Sequence, residues 1–339
     1  MDNAGRPRVG VFTLGGTIAM TPTEDGGVAP ALSAHDLLAA VPGLREVQVQ
    51  LEVRDFRSKP GASLSFSDLS DLATAIKQAL DDGCTGIVVT QGTDTIEEVS
   101  YFLDLVLDVE APVVVTGAMR NPAMAGADGP ANILNAVKVA ASPQAQRSGC
   151  LVSMNNEIHA ARWVQKVHTG SVAAFASPNI GPLGHVLEGS VCIPVLLRNS
   201  SPTIQPDATS NVRVGLITIS LGDDGTLIEA MGQQADGLVI AAFGAGHVPD
   251  MVVPFLSKLA DRMPVVLASR TGAGPVHSRT YSFPGSEKDL AARGLISAGY
   301  LDPLKARILL RLLIASGADG EQIRATFAEA GCHNNDARI

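Results

Sequence analysis

Gly86-Ile-Val-Val-Thr-Gln-Gly-Thr-Asp-Thr-Ile-Glu-Glu98 is the stretch on which the fold turns. Ile87, Val88 and Val89 form a short β-branched apolar run that Gln91-Gly92 breaks, so the segment reads as a buried parallel strand ending in a tight turn. Beyond the turn, Ile96, Val99, Phe102, Leu103 and Val106 recur at helical spacing. Thr95, Glu97 and Glu98 add the hydroxyl and acids that suit a helix N-terminus. Thr93 and Asp94 therefore fall between the carboxyl end of a strand and the amino end of a helix, where open α/β sheets bind ligands.

Working outward, the strand Arg8 to Leu14 runs into Gly15-Gly16-Thr17-Ile18. Paired glycines directly after a strand let the backbone turn tightly and approach a ligand, and Thr17 is presented at that turn. Met20 to Pro30 is turn-rich around Gly26-Gly27 and reads either as a flap or as an ordinary surface loop. A helix over 34–40 and a strand over 48–56 follow, then a loop over 57–63 and a helix capped by Ser67. The strand Pro112–Thr116 ends in Gly117-Ala118 and leads to a helix over 131–141. After the strand Leu151–Met154, the stretch His159 to Lys166 reads as a polar connection, and 175–183 as a loop because Pro178 and Pro182 exclude regular structure. The βαβα alternation implies a parallel sheet with right-handed crossovers and helices on both faces.

Pro194, Pro202 and Pro206 with Asn199-Ser-Ser201 mark a linker. The expected organisation is an α/β chain with a larger, parallel-rich N-terminal domain (1–192), a linker (193–211) and a smaller C-terminal α/β domain (212–339). Strands at 212–220, 237–242 and 264–269 alternate there with helices near 226–234 and 251–261, and Gly244-Ala-Gly-His247 forms a glycine turn.

At 339 residues and 46% hydrophobic, the chain is long enough for two cores. A net charge of −9 without runs of like charge gives no footprint for nucleic acid or an anionic membrane, which leaves a small molecule as the expected partner. No apolar run approaches the ~20 residues that span a bilayer. Met1 to Arg8 lacks the basic and apolar regions of a secretory signal, so the expected location is cytoplasmic. Cys84, Cys150, Cys192 and Cys332 are far apart and show no ligand spacing, so neither a disulfide framework nor a zinc site is expected.

Thr13-Leu-Gly-Gly-Thr-Ile-Ala19, Thr90-Gln-Gly-Thr-Asp-Thr-Ile-Glu-Glu98 and Gly117-Ala-Met-Arg120 with Ala127-Asp-Gly-Pro130 together resemble the bacterial-type L-asparaginase/glutaminase family. The likeness continues through Lys166, Ser177-Pro-Asn-Ile-Gly-Pro-Leu-Gly184, Ala268-Ser-Arg270 and Leu301-Asp-Pro-Leu-Lys-Ala-Arg307. It implies an asparaginase-like fold and hydrolysis of a side-chain amide through a threonine acyl-enzyme, without a metal or cofactor. It also implies a homodimer or homotetramer with active sites at subunit interfaces. Thr17 would be the nucleophile; Lys166 would take a proton in a second constellation with Thr93, and Asp94 would orient it.

A threonine hydroxyl is a poor nucleophile without a base. A lysine serves where desolvation lowers its pKa, whereas an adjacent carboxylate favours the ammonium. Backbone N–H groups beside Gly16, Gly92 and Ala118 are candidate donors to substrate and oxyanion. Thr17 and Thr93 also suit turn hydroxyls or caps, Asp94 a helix acid and Lys166 a structural ion pair; the four together read as chemistry.

The sequence departs from the family at the substrate. Gly27 stands where the flap tyrosine is expected. Gly61-Ala62 replaces a serine-glutamine pair, with Ser63 or Ser58 as available hydroxyls. Tyr281 stands where a glutamate is expected to reach the substrate's α-amino group across the dimer, and His247 where an asparagine follows the glycine turn. Tyr281 can stack on a different substrate or pack as a loop residue, and His247 can line the site or sit satisfied at the surface. The function read from these residues is an asparaginase-type amidohydrolase. The alternatives are a hydrolase of another amide or lactam, or a non-catalytic amino-acid-binding protein.

Overall fold

Two units, Met1–Ser201 and Pro202–Ile339, each enclose a sheet of their own. The computed structural model describes residues 5–16, 20–22, 28–30, 34–197, 201–207 and 210–332. The strands of the first unit are β1 (Arg8–Thr13), the paired β2 (Met20–Pro22) and β3 (Val28–Pro30), β4 (Gln50–Asp55), β5 (Gly86–Thr90), β6 (Val113–Thr116), β7 (Cys150–Met154), β8 (Glu157–Ala160), the paired β9 (Gln165–Lys166) and β10 (Phe175–Ala176), β11 (Gly184–Leu187) and β12 (Ser190–Cys192). Its helices are α1 (Ala34–Ala39), α2 (Phe66–Asp81), α3 (Ile96–Val106) and α4 (Gly129–Ala140).

The large sheet runs β12-β11-β8-β7-β6-β5-β1-β4. Its parallel part is β7-β6-β5-β1-β4, so the chain steps from β1 to β4, then crosses back over β1 to β5 and continues the other way. The strand order reverses between β1 and β5, which opens a crevice at their carboxyl ends. Every residue of β5 is buried, because both faces of the sheet are covered. On one face Val88 and Val114 pack in a cluster with Leu37 and Leu38 of α1 and Ile133 and Val137 of α4. The alternate residues Val89 and Val115 point to the other face, where α3 packs against β6 and β7.

The structure departs from the sequence reading at three places. The alternation of parallel strands stops at β7, since β7, β8, β11 and β12 pair antiparallel. Asn155 and Asn156 connect β7 to β8 at φ 49° and 65°, the left-handed conformation that a two-residue hairpin needs and asparagine tolerates. The stretch His159 to Lys166 is strand and buried turn rather than a polar connection: Ala160, Ala161, Trp163 and Val164 are all buried. The third is at α2, whose N-cap is Ser65 and not Ser67. The Asp68 N–H donates to Ser65 Oγ at 3.2 Å, and the Asp68 carboxylate accepts from the Ser65 N–H at 2.9 Å. That reciprocal pair needs an acid three positions after the cap; Ser65 has one and Ser67 does not.

In the second unit β13 (Val214–Thr218), β14 (Gly237–Ala242), β15 (Val265–Ser269) and β16 (Ile296–Ser297) form a parallel sheet in that order. Its helices are α5 (Thr226–Gly232), α6 (Val253–Ala260), α7 (Glu287–Ala292), α8 (Pro303–Ala315) and α9 (Gly320–Ala330). Helix α8 packs on β13, β14 and β15. Its start is fixed by Asp302, whose carboxylate accepts the Leu304 and Lys305 N–H groups at 3.0 Å each, with Pro303 in the first turn. Lys305 is fully buried and its ammonium lies 2.8 Å from the same Asp302 carboxylate.

Candidate active site

The crevice between β1 and β5 is walled by backbone. Gly15 and Gly16 follow β1 at φ 96° and 90°. A Cβ added to Gly16 would lie 2.1 Å from the Gly92 nitrogen, and one added to Gly15 would lie 2.8 Å from the Lys59 nitrogen and oxygen. No side chain fits at either position, so the turns after β1, β4 and β5 meet main chain to main chain. Thr95 Oγ1 donates to the Gly61 carbonyl at 3.1 Å, and buried Gln91 donates through Nε2 to the Gly92 carbonyl at 3.2 Å. Ser63 ends the short 3-10 turn Gly61–Ser63, is exposed, and donates its N–H to Pro60; Ser58 is exposed as well.

Asp68 holds the turn after β4 in place. Its carboxylate accepts from Lys59 Nζ (2.8 and 2.9 Å), Arg57 Nε (2.9 Å) and Ser65 Oγ (2.7 Å). Burial opposes ionisation of this carboxyl, but Lys59, Ser65 and Arg57 outweigh burial and hold its pKa far below the usual carboxylate range. Lys59 in turn donates its N–H to the Leu14 carbonyl at 2.9 Å, which couples the turn to the end of β1.

Three of the residues singled out in the sequence come together here. Lys166 Nζ lies 3.0 Å from Thr93 Oγ1 and 2.9 Å from Asp94 Oδ1. Thr93 sits in a single 3-10 turn, Thr93–Thr95, between β5 and α3, and is 7% exposed. Lys166 arrives from the other direction, on β9, with its side chain 16% exposed, whereas that of Asp94 is 66% exposed. Hydroxyl, amine and carboxylate are thus joined by hydrogen bonds from a sheltered end to a wet end, the arrangement of a proton path. The Lys166 N–H also points to Glu97 Oε2 at 3.4 Å.

The turn after β6 closes the crevice. A Cβ on Gly117 would stand 2.6 Å from the Gln91 carbonyl oxygen and 3.2 Å from Thr93 Cγ2, and neighbouring Ala118 is 1% exposed. Asp128 folds this turn: its carboxylate accepts the Met119 N–H at 3.0 Å and the Arg120 N–H at 2.9 Å. Asn132 Nδ2 donates to the Gly117 carbonyl at 2.9 Å. Thr17, with Gly27 of the expected flap, lies outside the described residues.

Tyr281 and His247 belong to the second unit. Their rings meet edge to face at 4.7 Å, and Phe283 stands 5.0 Å from the same imidazole. Behind His247 lies Glu287, whose side chain is wholly buried and 3.3 Å from Nε2. Glu287 Oε1 accepts the N–H groups of Thr280 (2.9 Å) and Tyr281 (2.8 Å). Burial works against the Glu287 carboxylate, but those N–H donors and His247 lower its pKa overall. Tyr281 and Phe283 remain 41% and 46% exposed, so the group is an aromatic face mounted on a buried acid.

The roles of Asp68, Asp128, Glu287 and Gln91 were not read from sequence. Asp128 belongs to the motif Ala127-Asp-Gly-Pro130, eight positions after Arg120 and nine after Met119, whose N–H groups it accepts. Among the described residues no group of three or more His, Cys, Asp or Glu side chains is placed to hold a metal ion, and no helix is long and apolar enough to cross a membrane.

A strand order reversing at glycine turns, with threonine, aspartate and lysine in hydrogen-bond contact at the reversal, defines a hydrolase-type crevice. Comparison with known proteins places it. Residues 8–194 match the model of the asparaginase N-terminal domain and residues 213–327 that of the glutaminase/asparaginase C-terminal domain. A probable L-asparaginase of Deinococcus radiodurans is 38% identical over 330 residues, 96% of this chain and 98% of that protein. An L-asparaginase of Bacillus licheniformis is 35% identical over 92% of this chain and 97% of its own length. The crystal structure of a probable cytoplasmic L-asparaginase from Campylobacter jejuni superposes with a TM-score of 0.83 at 31% identity, covering 95% of this chain and 99% of that one. The chain belongs to the asparaginase/glutaminase family.

Proposed function

We propose that this protein is an asparaginase-type amidohydrolase that releases ammonia from a side-chain amide, asparagine being the first substrate to test. The observation that carries the reading is the contact of Lys166 Nζ with both Thr93 Oγ1 and Asp94 Oδ1, at the strand-order reversal and beside the glycine turn that leads into Thr17. In this reading the Thr17 hydroxyl oxygen attacks the amide carbon, its proton goes to the departing nitrogen, and ammonia leaves an ester on Thr17. Water then attacks the ester carbon; its proton returns to the threonine oxygen, and the acid is released. Thr93 and Lys166 carry protons between solvent and the reacting atoms, and Asp94 orients the Lys166 amine. Main-chain N–H groups of the turns at Gly16, Gly92 and Ala118 stabilise the oxyanion.

Active sites shared between subunits of a homodimer or homotetramer, a cytoplasmic location and a boundary within 193–211 are part of the same proposal. The Campylobacter relative, described as cytoplasmic, supports the location, and the family matches, which end at 194 and resume at 213, support the boundary. Exposed Leu187 (61%) and Leu196 (75%), beside edge strand β12, give an apolar face for a second copy.

A second reading is hydrolysis of a different amide or lactam. The exposed aromatic face of Tyr281, Phe283 and His247 favours it, because it stands where the resemblance expects an acid. A non-catalytic amino-acid-binding protein is the third, and it predicts ligand-dependent thermal stabilisation without turnover. Ammonia release from asparagine, glutamine, their D-forms and simple amides separates the three. The proposal expects turnover of at least one, lost to similar extents in T17A and T93A; an unimpaired T17A/T93A double variant refutes it.

A further inference from the structure

The ladder of the hairpin that delivers Lys166 is short. Strands β9 and β10 pair over two positions only, Lys166 with Phe175 and Gln165 with Ala176, extended by the Val167 N–H to Ala174 carbonyl bond at 2.8 Å. A two-stranded ladder of this length is marginal by itself. A buried polar cluster brackets it. His159, at 1% exposure, stands on β8 before the hairpin, and Ser177, at 4%, stands immediately after β10. His159 Nδ1 lies 3.0 Å from Ser177 Oγ, and this contact closes a stretch of 18 positions with Lys166 inside it.

The other ring nitrogen, Nε2, is 3.2 Å from Glu157 Oε2, in contact although poorly aligned for a hydrogen bond. An ionised carboxylate only accepts, which favours the ring proton on Nε2 and leaves Nδ1 to accept from the Ser177 hydroxyl. Glutamate, histidine and serine in contact bring to mind a nucleophile and its base, but the Ser177 hydroxyl is buried and its carbonyl is bound by the Ile180 and Gly181 N–H groups at 3.2 and 2.8 Å. That serine is built into a turn. An apolar side chain at 159 would fill the same core without the cost of burying polar atoms. The hydrogen bond to Ser177 is what the imidazole adds.

We propose that His159 is a positioning residue for Lys166: through Ser177 it fixes the returning strand of the hairpin, and so sets where the Lys166 amine meets Thr93 and Asp94. The proposal rests on the role given above to Lys166, so its test includes a control for that role. The full-length protein is compared with H159L, H159N, S177A and K166M on asparagine, or on whichever amide of the panel turns over fastest. Misplacing a reacting group by about 1 Å costs about 100-fold in rate. H159L is therefore expected to melt within a few degrees of wild type while kcat falls about 10- to 100-fold and KM changes less than about threefold. H159N, whose amide occupies the place of Nδ1, restores most of kcat, and S177A repeats the H159L result. Should H159L not fold, S177A, which removes one oxygen, carries the same comparison. An inactive K166M with wild-type kcat in H159L and S177A overturns the positioning role alone. Equal loss in H159L and H159N, or a fall in Tm that accounts for the loss in kcat, also overturns it. A fully active K166M removes the foundation along with it.

Discussion

Gly16 is the residue where geometry is least forgiving. Its φ of 90° is costly for any side chain, and its Cβ position is filled by the Gly92 main chain at 2.1 Å. G16A is expected to lower the thermal midpoint by several degrees and to abolish most ammonia release, since the turns after β1 and β5 must part to admit a methyl group. A G16A variant that melts and turns over like wild type would show that the turns do not need this contact. Thr93 and Asp94 stood out because they fall in a strand-to-helix motif with its own grammar, whereas Lys166 entered only through the family resemblance, from a stretch read as a polar connection. Asp68 carries no mark in the sequence beyond an acid near a helix start, and Asp128 none beyond its place in a family motif. What they do in the fold, bonding Lys59 and Arg57 in one case and the Met119 and Arg120 N–H groups in the other, depends on turns whose path no local pattern dictates.

Among the elements, the start of α2 and the turn after β4 depend on one carboxylate. Folding lowers the pKa of Asp68 below its unfolded value of about 3.9, so the native state binds the extra proton less readily than the unfolded chain. The stabilisation is fully present above about pH 4 and is lost as pH falls through and below that value. D68N should therefore cost about 2 kcal/mol at pH 7, less than the ~3–5 kcal/mol of a fully buried pair, because the side chains of Lys59 and Arg57 are partly in water. Thermal melts of both proteins between pH 7 and pH 3 check this: the gap in Tm should narrow on acidification, and a constant gap would contradict it. The parallel strands were legible at this scale because continuous apolar runs such as Ile87-Val88-Val89 alternate with helical periods. The antiparallel extension through β8, β11 and β12 was not, because it hangs on two asparagines in left-handed backbone and on strands of only 3 or 4 residues, too short to carry a pattern.

For the whole molecule, two units with separate cores and family models along both define the frame. Light scattering on the eluted protein should give two or four times the 35.0 kDa of one chain, and L196E in the exposed apolar face should shift it toward smaller species. A wild-type protein that elutes as a single chain with full activity would contradict shared active sites. In the proposed function Thr93 and Lys166 act as one proton-handling unit. Ammonia release by wild type, T93A, K166M and the T93A/K166M double variant measures it directly. Groups that act as a unit are grossly non-additive, so each single variant should lose at least about 1000-fold in kcat/KM and the double variant no more than either. Losses that multiply in the double variant, or a K166M enzyme as fast as wild type, would contradict the account.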